Sequence, residues 1–229
     1  MVSGVMQTTR VLLVRHGTTT LGAEDRFAGS TDVPLSGEGR EQAEQLARRL
    51  ADEPLVAVYA SPMQRTMETA TIVARPHGLG PVAQDGLREI NHGRWEGLRR
   101  REVEERYAEE YAAWEEDPLA CAPEGGEPGI SVMARALPVL HGIVRLHAGG
   151  QVLVVSHKAT IRLLVTSLLG FDPRGYRDRL DQLPCCLNIL EFKNPVRARL
   201  MLFNDVSHYA GAPGPPRAHL SRWWDPGSE

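Results

Sequence analysis

Two short runs of uninterrupted apolar residues, each delivering a histidine, constrain this chain of 229 residues more than any other feature. The first is Val11-Leu-Leu-Val14, which leads into Arg15-His16-Gly17-Thr18. The second is the Val152–Val155 stretch of Gln151-Val-Leu-Val-Val-Ser156, which leads into His157. A segment apolar at every position and too short for a helix is buried on both sides, as strands of a parallel sheet are. Ligands of such sheets bind beyond the carboxyl ends of the strands, where both histidines stand.

The intervening sequence supplies helices and further strands. Ser36 is placed to cap a helix whose apolar face is Ala43, Leu46, Ala47 and Leu50. Val56–Ala60 is a second strand, and Ser61-Pro62 reads as the cap and first turn of a helix through Val73. The charge-dense stretch from Arg99 to Trp114 predicts one solvent-exposed peripheral helix, a lid or flank. Trp95, Tyr107, Tyr111 and Trp114 are read first as packing residues and second as walls of a pocket. Gly125-Gly126 through Gly129 is a hinge, followed by a helix along Val132, Ala136, Leu137, Leu140 and Val144 that Pro138 is set to kink. Ile161–Leu169 continues as an apolar helix. Leu187–Phe192 and Arg199–Phe203 read as antiparallel strands joined at Asn194-Pro195, with an edge open to pairing in a homodimer. Alternating strands and helices predict an α/β fold, a three-layer α/β/α sandwich around a mostly parallel central sheet. The expected organisation is one domain over 1–229, its core at about 11–205, with a loose Pro-rich tail from about 213.

Composition removes several classes of partner. The formal net charge of −3 provides no global positive field for nucleic acid or for an acidic membrane. No apolar run reaches the length of a signal core or a membrane span. The three cysteines, Cys121, Cys185 and Cys186, form neither a disulfide framework nor C-x-x-C pairs, which fits a reducing, cytoplasmic setting. His77, His141, His147, His208 and His219 lack the spacing of a zinc motif, so no metal and no cofactor are expected.

Arg15-His16-Gly17 after a buried strand suits an oxyanion: the strand fixes the imidazole, the glycine lets a phosphate approach the backbone, and the arginine offers a planar fork. A phosphoryl group in transfer spreads charge over three oxygens and needs fixed cations, for which Arg15, Arg65 and His157 are candidates.

Leu13-Val-Arg-His-Gly-Thr18 resembles the signature of the histidine phosphatases, the phosphoglycerate-mutase-like superfamily. Further blocks resemble that family in order: Arg26 through Arg40, Ser61 through Ala70, Leu87-Arg-Glu-Ile-Asn-His-Gly-Arg-Trp-Glu-Gly97, and Ser156-His157 with Ile161-Arg162. The resemblance runs from about Val11 to Gly170. It implies catalytic His16 as nucleophile, Glu89 as proton donor, and His157 as a second pocket histidine. Arg15, Thr18, Arg65 and His157 would bind phosphate. Glu89 has to be protonated for the first step, which calls for a raised pKa. The implied activity is metal-independent hydrolysis of a small phosphorylated metabolite, the segment Arg94-Trp-Glu-Gly-Leu-Arg99 resembling the phosphatase branch. A bisphosphate-primed mutase and a non-catalytic phosphate-binding module are the competing readings.

Four positions depart from the family pattern. Gly22 stands where an asparagine commonly contacts phosphate, with Thr18 or Thr20 as replacements. Lys158 stands where glycine usually follows the second histidine, its side chain either adding a cation to the pocket or pointing into solvent. Ala28 replaces a polar residue facing the substrate, and Pro128 replaces a serine after Gly126-Glu127.

Overall fold

The structure, a computed structural model, describes residues 8–20 and 26–209; Gly22 and the tail from 213 lie outside the described residues. Six strands form one sheet in the order β3-β2-β4-β1-β5-β6. They are β1 (Thr9–Arg15), β2 (Leu55–Ala60), β3 (Pro81–Ala83), β4 (Gln151–Ser156), β5 (Leu187–Asn194) and β6 (Arg197–Asp205). β3, β2, β4 and β1 pair in parallel, while β5 and β6 add an antiparallel hairpin beside β1. Asn194 closes that hairpin by accepting from the backbone N–H groups of Val196 and Arg197.

Among the described residues, seven α-helices accompany the sheet: α1 (Gly37–Leu50), α2 (Gln64–Ala74), α3 (Arg100–Arg106), α4 (Ala108–Glu116), α5 (Gly129–Leu146), α6 (Lys158–Leu169) and α7 (Tyr176–Arg179). Side chains on a strand alternate between faces, and each face of this sheet has its own core. Val11, Leu13, Val152 and Val154 pack against Ala136, Leu140 and Ile143 of α5 and Ile161 and Leu164 of α6. Leu12, Val14, Leu153 and Val155 pack against Leu46 and Leu50 of α1 and Ala70 and Val73 of α2. The expected three-layer sandwich is therefore present, and Val11–Val14 of β1 and Val152–Val155 of β4 are apolar throughout because both faces of the sheet are covered there.

α5 is long and apolar enough to span a membrane by length and composition, which the run-length reading of the sequence did not register. Its apolar stripe is taken up by the sheet, and it continues through Pro138.

Two local expectations are corrected. α2 begins at Gln64, not at Ser61-Pro62; the Gln64 N–H donates to Asp32 at 2.9 Å, and the Ser61 hydroxyl accepts from the Met63 N–H at 3.5 Å and meets His157 Nε2 at 2.8 Å. Arg99–Trp114 is not one exposed helix: it divides at Tyr107, and Val103, Tyr111 and Trp114 are buried with Phe27 and Trp95. The packing reading of the aromatic residues holds for Trp95, Tyr111 and Trp114.

The turn after β1 explains Gly17. A Cβ there would stand 2.5 Å from the Gly39 carbonyl oxygen, so Gly17 is needed where the loop crosses the start of α1. Ser36 caps α1 as expected, accepting from Gly39 N–H at 3.1 Å.

Candidate active site

The sheet order brings three strand ends side by side. Arg15 of β1 is in register with Ser156 of β4, and the His16 N–H donates to the Ser156 carbonyl at 3.1 Å. β2 lies on the other side of β4, and the Ser61 N–H donates to the Val155 carbonyl at 3.1 Å. His16, His157 and Ser61 therefore emerge together. The two imidazoles meet edge to face, with centroids 5.2 Å apart.

Each ring is held by one bond. His16 Nδ1 lies 2.8 Å from the Gly17 carbonyl oxygen, which can only accept, so Nδ1 carries the proton and Nε2 the free lone pair. His157 Nε2 lies 2.8 Å from the Ser61 hydroxyl, while its buried Nδ1 has no hydrogen-bond partner among the described residues. Burial holds both pKa values well below the ordinary histidine value. Arg15 and Arg65 reinforce the effect on His16; Arg65, His16 and Arg15 do so on His157.

The arginines are fixed from behind. Arg65 donates from Nη1 to the Thr31 carbonyl at 2.8 Å and from Nη2 to the Gly29 carbonyl at 2.9 Å. That loop is pinned by Glu96, whose carboxylate accepts from the Ser30 N–H (2.6 Å), the hydroxyls of Ser30 (2.8 Å) and Thr31 (2.6 Å), and the His92 N–H (3.2 Å). Arg15 donates from Nη1 to the Gln182 carbonyl at 2.5 Å, and burial lowers its pKa from the ordinary arginine value.

Glu89 approaches from the loop after β3. Its carboxylate accepts from the backbone N–H groups of Ile90 (3.0 Å), Ala159 (3.2 Å) and Thr160 (3.2 Å), and from the Thr160 hydroxyl (3.2 Å). Two of those N–H groups open α6, where the helix dipole favours a negative group. Arg135 of α5 clamps the supporting backbone. Its Nη1 donates to the carbonyls of Gly86 (2.9 Å) and Arg88 (2.8 Å), and its Nη2 to that of Glu89 (3.1 Å). Arg135 is itself gripped by both carboxylate oxygens of Glu127 at 2.8 Å. The charge of Glu89 acts on both Arg15 and Arg65.

Arg15-His16, Arg65, Glu89 and His157, from four separate segments of the chain, thus converge. Thr18 is engaged differently: its N–H and hydroxyl both donate to Gln42 Oε1, at 3.0 and 3.1 Å. Its single hydroxyl proton reaches a phosphate only when the Gln42 bond opens. Lys158 does not project freely into solvent; its Nζ lies 3.3 Å from Asp181 Oδ1. Among the described residues, no three metal-ligating side chains cluster.

Sequence reasoning missed the supporting residues. Ser61 and Glu96 stand inside the quoted blocks and could have been singled out there. Gln42, Arg135, Asp181 and Gln182 carry no local signal, because their partners come from distant segments.

Known proteins resemble this chain in sequence and in fold. Residues 11–206 match the sequence model of the histidine phosphatase superfamily, branch 1. The chain is 36% identical over 163 residues to phosphoserine phosphatase 1 of Hydrogenobacter thermophilus, covering 71% of this chain and 77% of that protein. It is 33% identical over 172 residues to glucosyl-3-phosphoglycerate phosphatase of Mycolicibacterium vanbaalenii, covering 72% and 76%. Among solved structures, Bacillus stearothermophilus YhfR superposes with a TM-score of 0.82 at 30% identity, covering 87% of this chain and 98% of that one. The protein is a phosphomonoester hydrolase, and the chain belongs to the histidine phosphatase superfamily, branch 1.

Proposed function

We propose that the protein hydrolyses a small phosphomonoester in two steps through a phosphohistidine on His16. The observation that carries this reading is the neutral His16 ring, its Nδ1 bonded to the Gly17 carbonyl and its Nε2 unpartnered among the described residues beside two arginines. Nε2 attacks phosphorus in line, the bond from phosphorus to the ester oxygen breaks, and Glu89, which has to take up a proton against the N–H donors around it before this step, gives that proton to the departing alkoxide. The Glu89 carboxylate then takes a proton from water as the water oxygen attacks phosphorus. The nitrogen–phosphorus bond breaks, releasing inorganic phosphate and neutral His16.

Arg15 and Arg65 face the equatorial oxygens with charge throughout, and electrostatic stabilisation of this kind supplies most of the catalysis in phosphoryl transfer. With the Ser61 hydroxyl donating to His157 Nε2, the Nδ1–H is the donor left for a phosphoryl oxygen. The scheme uses no metal. The thiols of Cys121, Cys185 and Cys186 are free, which supports a reducing, cytoplasmic location.

Phosphate release from p-nitrophenyl phosphate in excess chelator tests the proposal. The His16→Ala variant is expected to abolish it, and full release by that variant would refute it. Bisphosphate-dependent isomerisation of phosphoglycerate without phosphate release would replace the hydrolase by a mutase.

A further inference from the structure

Lys158 follows His157 directly and opens α6; the next two backbone N–H groups, of Ala159 and Thr160, hold the Glu89 carboxylate. Its ammonium is paired with Asp181 Oδ1, which also accepts from Arg162 Nη2 at 3.2 Å and from the Gln182 N–H at 2.8 Å. The Gln182 carbonyl in turn receives Arg15. The cluster of Lys158, Arg162 and Asp181 therefore borders the site between Arg15 and Glu89. On the hydrolase reading, in which Glu89 protonates the leaving group, that is the side from which the alcohol departs.

The charges in this cluster do not cancel. On the hydrolase reading Arg15 and Arg65 serve the phosphoryl group and Glu89 enters the first step protonated, which leaves protonated Lys158 and Arg162 against the single carboxylate of Asp181, one positive charge in excess. Arg162 is only 5% exposed, and its buried Nε has no hydrogen-bond partner among the described residues. The Lys158 side chain is a third exposed, so its ammonium can leave Asp181 without unfolding the helix. Burial, with Arg162 and Arg15 nearby, lowers its pKa to about 7 despite Asp181.

We propose that Lys158 and Arg162 form a subsite for a carboxylate carried on the alcohol half of the substrate, with Asp181 occupying their donors until that carboxylate arrives. This rests on the hydrolase reading above and adds the substrate class: a phosphomonoester with one further negative charge close to the ester. A single excess positive charge matches a carboxylate better than a second phosphate.

The test uses a matched pair, 2-phosphoglycolate and 2-hydroxyethyl phosphate, which differ by a carboxylate in place of a hydroxymethyl group. Ethylene glycol bisphosphate is a third arm. Each is measured by KM where it turns over, or by inhibition of p-nitrophenyl phosphate hydrolysis, in the wild type, Lys158→Met and Asp181→Asn. Lys158→Met is expected to weaken phosphoglycolate at least ~10-fold more than hydroxyethyl phosphate, as the loss of a charge-assisted bond does. Asp181→Asn keeps an acceptor for the Gln182 N–H but removes the competing charge, so it is expected to tighten phosphoglycolate. A purely structural ion pair gives no such opposition. Equal effects on both ligands, or both variants moving the ratio the same way, would overturn the subsite. Discrimination against the bisphosphate alone would overturn the carboxylate assignment. Absence of phosphate release from every ester, p-nitrophenyl phosphate included, overturns the hydrolase reading instead.

Discussion

His16 and His157 stand ring edge to ring face, 5.2 Å between centroids, because β1 and β4 are neighbours paired in register up to Arg15 and Ser156. Burial and the arginines favour the neutral form of both rings, and with the Ser61 hydroxyl donating to His157 Nε2 the pair presents one lone pair and one N–H donor to the site instead of two positive charges.

That neutrality links to stability. In the unfolded chain both histidines take up protons below their ordinary value of 6.5, whereas in the fold they resist doing so. The unfolded state then binds more protons, and stability falls as pH drops below about 6.5, by up to about 1.4 kcal/mol per pH unit for each ring. Chemical denaturation between pH 7 and 5 measures this slope. The His16→Gln, His157→Gln double variant is expected to flatten it, and an unchanged slope would contradict the burial argument.

Glu89→Gln removes the proposed proton donor and keeps the shape. Its kcat for an alkyl phosphate is expected to fall about 10²- to 10⁴-fold. The loss for p-nitrophenyl phosphate is expected to be smaller, since nitrophenolate leaves without a proton. Steady-state kinetics on both substrates decide this, and equal losses would remove Glu89 from the acid role.

Glu96 acts through Arg65. Burial opposes its charge, but donors from Thr31, Ser30 and His92 outweigh this and hold its pKa below the ordinary carboxylate value. Glu96→Ala is expected to release the loop whose carbonyls orient Arg65 and to lower kcat/KM by about 10- to 100-fold. Inorganic phosphate inhibition should weaken in parallel; undiminished phosphate affinity would show that Arg65 keeps its place without Glu96.

Gly17→Ala places a methyl group 2.5 Å from the Gly39 carbonyl oxygen. The expected cost is about 1–3 kcal/mol, read by thermal unfolding, together with reduced activity because His16 precedes the displaced residue.

The sheet was readable in the sequence because its strongest signal is local: Val11–Val14 and Val152–Val155 are apolar throughout since helices cover both faces. Ser61 shows where such reading stops. In sequence it looks like a helix cap beside Pro62, but the adjacency of β2 and β4 puts its hydroxyl on His157, and the first N–H of α2, that of Gln64, donates to Asp32. The stretch after Arg99 was misread because its charges mask apolar positions at Val103, Tyr107, Tyr111 and Trp114, spaced on one helical stripe. Asp181 and Gln182 were invisible, since the loop carrying them meets Arg15 and Lys158 only in the folded chain.

The phosphohistidine is tested most directly by rapid quenching during turnover of a labelled phosphomonoester, followed by mapping of the label. The expected result is one acid-labile, alkali-stable phosphoryl group on His16 in the wild type and none in His16→Ala. Label on another residue, or full turnover with no adduct at any quench time, would contradict it.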